Sequence, residues 1–196
     1  MNKDEKWVFF WKNGKLLKFN PDYKHKENKP KEVKNDNDFK VSDITSGFLE
    51  KATPNKGKME FAPDYDYDGH KDEIETAYWI VRKFGGDVYL NEEDNSNEHK
   101  GISNPDYVWN GKWWDLKGVK TLNAISKRLQ DGIEQINNNP DYIAGGVILD
   151  ITGSMVEKYD VFKTIKNRLY FSAKSEMTVI VKKADDVFIV IEYKKK

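Results

Sequence analysis

The dipeptide Asn110-Gly111 stands between two runs of strand-forming residues, Tyr107-Val108-Trp109 and Lys112-Trp113-Trp114. A two-residue hairpin turn that matches strand twist needs positive φ at both central positions, which asparagine and glycine tolerate best. The chain is therefore expected to fold back on itself here, and the turn sets the register. Trp109 faces Lys112, and counting outward pairs Val108 with Trp113, Tyr107 with Trp114, and Asp106 with Asp115. Facing residues on paired strands have β-carbons about 4.5–5.5 Å apart, where like charges repel. A divalent cation relieves that repulsion, and two carboxylates suit a hard ion such as Mg²⁺ or Mn²⁺ that keeps several waters. Side chains alternate along a strand, so Lys117 shares the face of Asp115. Two acids and a base on one face form the set that metal-assisted phosphodiester chemistry requires.

Hairpin formation alone does not bring acids. A second aromatic hairpin is expected over Trp7–Phe19 around Asn13-Gly14, yet it carries Leu16 and Leu17 where carboxylates would be needed. The tripeptide Pro-Asp-Tyr occurs four times, starting at Pro21, Pro63, Pro105 and Pro140, and only the copy at Pro105 is followed by Asp-x-Lys at hairpin spacing.

Composition narrows the remaining classes. A chain of 196 residues with 38% hydrophobic and 13% aromatic content can form one sizeable core plus an appendage. Equal numbers of Lys+Arg and Asp+Glu, 33 each, exclude a simple polybasic nucleic-acid binder. The balance is uneven along the chain, however. Residues 61–115 hold 13 acids and 5 bases, whereas residues 116–196 hold 10 and 14, an order that suits a metal followed by a polyanion. With no cysteine, disulfides, thiolate metal sites and a Cys nucleophile are all excluded. No apolar run approaches the roughly 18 residues of a membrane span, and the charged start lacks the apolar core of a secretory signal. A soluble chain acting in the cytoplasm is the expectation, with any export depending on a larger carrier.

Residues 1–56 read as a hairpin and a Lys-, Asn-, Asp- and Pro-rich linker with short structured pieces, with the main domain at 57–196 and the boundary near Thr53–Gly57. Ile74, Ala77, Tyr78, Val81 and Phe84 recur at helical spacing within His70–Phe84, and Gly85-Gly86 end that element. A strand over Asp87–Asn91 and a polar loop to Asn104 lead into the central hairpin. Leu122, Ile125, Leu129, Ile133 and Ile136 mark a second amphipathic helix, and Gly146–Thr152 reads as a buried strand. A third helix near Tyr159–Tyr170 and a hairpin of Met177–Lys183 with Val187–Glu192 follow. The order helix, three strands, helix, strand describes an α/β fold: a mixed central sheet flanked by helices, with an N-terminal hairpin appendage.

A helix bearing an acid, then Pro105-Asp106, then Asp115-Leu116-Lys117, then a crossover helix resembles the PD-(D/E)XK nuclease superfamily over roughly residues 57–152. The details Glu73-Ile74-Glu75-Thr76-Ala77 before Gly85-Gly86, Trp114-Asp115-Leu116-Lys117 and Gly132-Ile133-Glu134-Gln135 are similar to the C-terminal tRNA-nuclease domains of contact-dependent growth inhibition toxins, and to related domains fused to phage head-morphogenesis proteins. The resemblance implies a restriction-endonuclease-like core, an RNA-cleaving toxin activity, and a dedicated immunity protein as partner. It implies nothing for residues 1–56.

In that superfamily a Glu on the first helix assists the metal, and Glu73 and Glu75 compete for the role. With about 100° per residue, Glu73 lies roughly 75° from the centre of the apolar stripe and Glu75 roughly 125°, which favours Glu73. The expected catalytic set is Glu73, Asp106, Asp115 and Lys117, with the three acids as Mg²⁺ or Mn²⁺ ligands. Lys120, Arg128 and Gln135 are candidates for nucleic-acid contacts, the last two sharing one helical stripe. His70 and His99 are candidate acid–base groups. A competing pattern, Asp64-x-Asp66-x-Asp68-Gly69 with Glu75, matches the ligand positions of an EF-hand calcium loop. Pro54, Gly57 and Pro63 speak against the entering helix that such a loop needs.

Overall fold

The computed structural model describes residues 8–12, 15–19, 38–92, 104–137 and 142–196, the first two stretches as backbone alone. The chain divides into two compact units, Met1–Val33 and Lys34–Lys196. Within the first, β1 (Val8–Lys12) and β2 (Lys15–Phe19) form the expected antiparallel hairpin, with Lys12 facing Lys15.

The second unit is an α/β fold with an eight-stranded mixed sheet in the order β3-β10-β9-β8-β7-β6-β5-β4. Its elements are β3 (Phe39–Asp43), α1 (Thr45–Glu50), β4 (Met59–Phe61), α2 (Lys71–Lys83), β5 (Val88–Leu90), β6 (Tyr107–Trp109), β7 (Lys112–Gly118), α3 (Leu122–Asn137), β8 (Ala144–Asp150), α4 (Lys158–Ser172), β9 (Met177–Ala184) and β10 (Val187–Lys195). Strands β5, β6 and β7 run as an antiparallel meander, and α3 carries the chain across to β8, which pairs parallel with β7. The stretch Phe39–Asp43, within the linker expected to hold short structured pieces, is a strand paired with β10. The division between the two compact units falls after Val33.

Two apolar layers clasp the sheet. On one face α3 and α4 bury Ile125, Leu129, Ile133, Ile136, Val161, Ile165 and Leu169 against Val147, Leu149 and Val179. On the other, Ala77, Trp79 and Ile80 of α2 cover Val88, Leu90, Tyr107, Trp109, Trp114 and Ile148. Each fully buried aliphatic side chain contributes about 1.5–3 kcal/mol, so the apolar stripes of α2 and α3 decide which face of β7 each helix covers. Successive residues of β7 then point to different helices: Trp114 and Leu116 to the α2 layer, Asp115 to α3.

The central turn is as the sequence requires. Asn110 and Gly111 have φ of 50° and 73°, and the ladder pairs Tyr107 with Trp114, Val108 with Trp113 and Trp109 with Lys112. Asn110 also ties the hairpin to the end of α2, accepting the Asp87 N–H on its Oδ1 at 3.1 Å and donating its own N–H to the Asp87 carbonyl at 3.0 Å. The Trp109 indole adds a bond to the Gly85 carbonyl at 2.9 Å. These bonds fix the hairpin against the helix that carries Glu73.

Candidate active site

Asp106 is the residue just before β6, whose ladder with β7 ends at the pair Tyr107 and Trp114, one residue short of Asp115. Its Oδ2 accepts the backbone N–H of Leu116 at 2.5 Å, which holds the carboxylate across the two strands. Asp115 is fully buried under α3, and Lys117 donates to its Oδ1 at 2.9 Å. The ammonium is also 2.8 Å from Oδ2, so it spans both oxygens of the carboxylate. Room for Oδ2 exists because Gly132 of α3 has no side chain: a β-carbon there would stand 2.7 Å from that oxygen.

Burial lifts both carboxyls. For Asp106, loss of water and then the Asp115 charge hold the group well above the usual carboxylate range, against the opposing pull of Lys117. For Asp115, loss of water pushes the pKa up to about 6, with Lys117 lowering it and the charges of Glu73 and Asp131 raising it. The buried Asp115, the half-buried Asp106 and one ammonium therefore carry an excess of negative potential.

Glu73 stands in the first turn of α2 and is engaged rather than open. Tyr65 donates its hydroxyl to Oε2 at 2.9 Å, and the His70 Nδ1 lies 2.8 Å from Oε1. Tyr107 anchors the same turn by donating to the Glu73 carbonyl at 3.0 Å. Glu75 is exposed, as the helical wheel suggests. Among the described residues no three His, Cys, Asp or Glu side chains gather as a group able to hold a metal ion. The structure thus brings Asp106, Asp115 and Lys117 together, while Glu73 is tied to Tyr65 and His70. Hard carboxylate oxygens fit an oxygen-seeking ion that keeps most of its own waters.

The remaining candidates scatter. Lys120, just beyond β7, is exposed and lines a cavity of about 640 Å³ between the start of α2 and the ends of β7, β8 and β9. Leu116 lines that cavity, so it opens on the α2 face of β7, whereas Asp115 faces α3. Arg128 is exposed on α3, and Gln135 is partly buried on the same helix. His70 lines the cavity, and His99 lies outside the described residues. In the EF-hand-like stretch Asp66 Oδ1 accepts the N–H groups of Asp68 and Gly69 at 3.1 Å each, an Asx turn that occupies the oxygen. The element before it is β4, not a helix.

Sequence reasoning missed Tyr65, Gly132 and Lys182, the last a cavity-lining residue of β9 whose ammonium lies 3.3 Å from Asp150. Gly132 had a legible signal, a glycine on the buried stripe between Leu129 and Ile133. Among the described residues no helix is long and apolar enough to cross a membrane. No family model, no curated protein and no solved structure matches the chain.

Proposed function

We propose that this chain is a metal-dependent phosphodiesterase of the PD-(D/E)XK type, with RNA favoured over DNA as substrate and an RNA-cleaving toxin domain as its setting. The observation that carries the reading is the pair Asp106 and Asp115 on adjoining strands, with Lys117 on Asp115: Asp115 is fully buried, and its charge bears on Asp106. The α2-β5-β6-β7-α3-β8 order supports it, because it sets an acid-bearing helix beside a meander and a crossover helix over its last strand.

Asp106 and Asp115 are the residues to hold Mg²⁺ or Mn²⁺, with Glu73 close enough for its charge to bear on both. Such an ion, when bound, supplies stabilisation of phosphorane charge and a more acidic water. Lys117 keeps Asp115 in place and offers positive charge to the scissile phosphate. Lys120, Arg128 and Gln135 are assigned to the nucleic-acid backbone or bases, and an immunity protein is the partner expected of a toxin of this kind.

Purified protein is incubated with total RNA and with plasmid, each with Mg²⁺ or Mn²⁺. Cleavage that chelator blocks and Asp115→Asn abolishes is the expected result. Failure to cut either polymer, or full activity in Asp115→Asn, refutes the proposal.

A further inference from the structure

A second cavity, of about 340 Å³, opens between the start of α4 and the turn that joins β9 to β10. Its walls are aliphatic: Ile151, Val156, Val161, Val181 and Ile189 line it together with Val187. Val187 is 55% exposed, and the lining run Val156–Lys158 is bracketed by Met155, 95% exposed, and Tyr159, 75% exposed. Single apolar side chains in water are ordinary, whereas several beside one aliphatic hollow mark a surface that another molecule covers. Two lysines and two acids also line the hollow. Lys158 is 3.2 Å from Asp43, and Asp186 is paired with Lys83, so each has its counter-charge elsewhere in the chain. Lys183 and Glu157 make no ion pair among the described residues. Lys183 is half-buried, its ammonium donating to the Val156 carbonyl at 3.0 Å, and Glu157 is exposed. What remains is one fixed cation, one free carboxylate and no net charge. Such a surface selects neither an anion nor a cation, and it is complementary to itself.

We infer that this face is the interface of a two-fold dimer of the chain, in which Met155 of each copy enters the aliphatic hollow of the other and Glu157 of each meets Lys183 of the other. A two-fold axis sets the same patch on both sides, so the patch must carry both members of every contact. Here it does, with an outstanding thioether beside a hollow and a free carboxylate beside an ammonium. The unbranched methionine chain adapts to the shape of such a hollow, and tyrosine brings a large apolar body with a polar tip to the rim. A partner of strong charge gains nothing from a neutral patch. Glu73, Asp106, Asp115 and Lys117 do not line the hollow, so the interface is separate from the residues proposed for catalysis.

Sedimentation velocity of the full chain over a concentration series, up to the solubility limit, is the test. Wild type is expected to pass from monomer to dimer at micromolar concentrations, as a small interface does. Met155→Asp and Val187→Asp, both at exposed positions, are each expected to weaken association at least about tenfold in protein whose melting curve shows it folded. Charge exchange then tests the pairing. Glu157→Lys and Lys183→Glu each face like charge across the axis and are expected to stay monomeric alone. Mixed together they are expected to form a dimer, since both cross-contacts are then opposite in charge. Should Lys183→Glu fail to fold, the loss of association in exposed Glu157→Lys decides. A wild type that stays monomeric throughout, a series of larger species, or association that survives Met155→Asp or Glu157→Lys overturns the dimer, as does a mixture of folded variants that does not pair.

Discussion

The Asp106 carboxylate accepts the Leu116 N–H at 2.5 Å, so an acid placed for chemistry also closes the hairpin between β6 and β7. The two duties separate by substitution. Asp106→Asn keeps an acceptor for Leu116 and removes the charge, whereas Asp106→Ala removes both. Both variants are expected to lose nuclease activity. Only Asp106→Ala is expected to lose stability, by about 1–3 kcal/mol, because it leaves a partly buried N–H without a partner. Urea unfolding of the pair decides the matter; equal midpoints would show that the hydrogen bond contributes nothing.

Asp115 makes stability depend on pH. Its folded carboxyl is pushed up to about 6, against about 3.9 in an unfolded chain. The folded state therefore binds the proton more tightly, and the resulting stability is complete below about pH 4 and lost as pH rises through 6. The full effect is on the order of 3 kcal/mol, with Asp106 shifted in the same direction. Urea midpoints in chelator should fall between pH 4 and 7.5 for wild type, with a shallower fall in Asp115→Asn. Identical slopes would mean that the buried carboxyl does not carry the shift.

Gly132→Ala tests the seat of Asp115. The added β-carbon would meet Asp115 Oδ2 at 2.7 Å and Val147 side-chain carbons at 2.9 and 3.0 Å. Alanine gains about 1 kcal/mol of helix propensity over glycine, yet overpacking a tight site costs about 1–3 kcal/mol. A net loss of stability and a larger loss of activity are expected. The penalty should shrink on an Asp115→Ala background, and a penalty unchanged there would place the clash elsewhere.

Glu73 and Glu75 are two residues apart on one helix and should behave differently. Glu73→Ala leaves Tyr65 and His70 without their shared acceptor, an expected cost of about 1–3 kcal/mol. Exposed Glu75→Ala should change stability by less than about 0.5 kcal/mol. Tyr65→Phe, which removes only the hydroxyl, should reproduce part of the Glu73→Ala loss. Thermal melts of the three variants provide the comparison.

Metal binding is measurable without catalysis. At about 100 times its dissociation constant, an ion that binds only the folded chain adds about 2.7 kcal/mol. Mn²⁺ should raise the melting temperature of wild type and leave the Asp106→Asn, Asp115→Asn double variant unmoved. A shift of the same size in both would put the ion somewhere other than between these acids.

The hairpin was legible because its determinants are local: positive φ at Asn110 and Gly111 and the two-residue period of the flanking strands fix which side chains face each other. Helical periodicity separated Glu73 from Glu75 for the same reason. What escaped depends on partners distant in sequence. Phe39–Asp43 reads as linker because its short alternation lies in a Lys-, Asn- and Asp-rich stretch, and its place in the sheet comes from pairing with β10. Lys182 reaches the cavity only through the parallel register that sets it beside Asp150. The bond from Tyr65 to Glu73 requires the loop after β4 to turn back on α2, which no periodicity encodes.

Strand β10 is inserted between β9 and β3, so the last strand of the large sheet in chain order pairs with its first. During synthesis Phe39–Asp43 emerges from the ribosome long before the neighbour it needs, and a truncated or stalled product would expose the β9 edge. Such an edge invites pairing with other chains. Closure of this sheet therefore waits on the synthesis of β10, and chains that lack it are the form most exposed to misassembly.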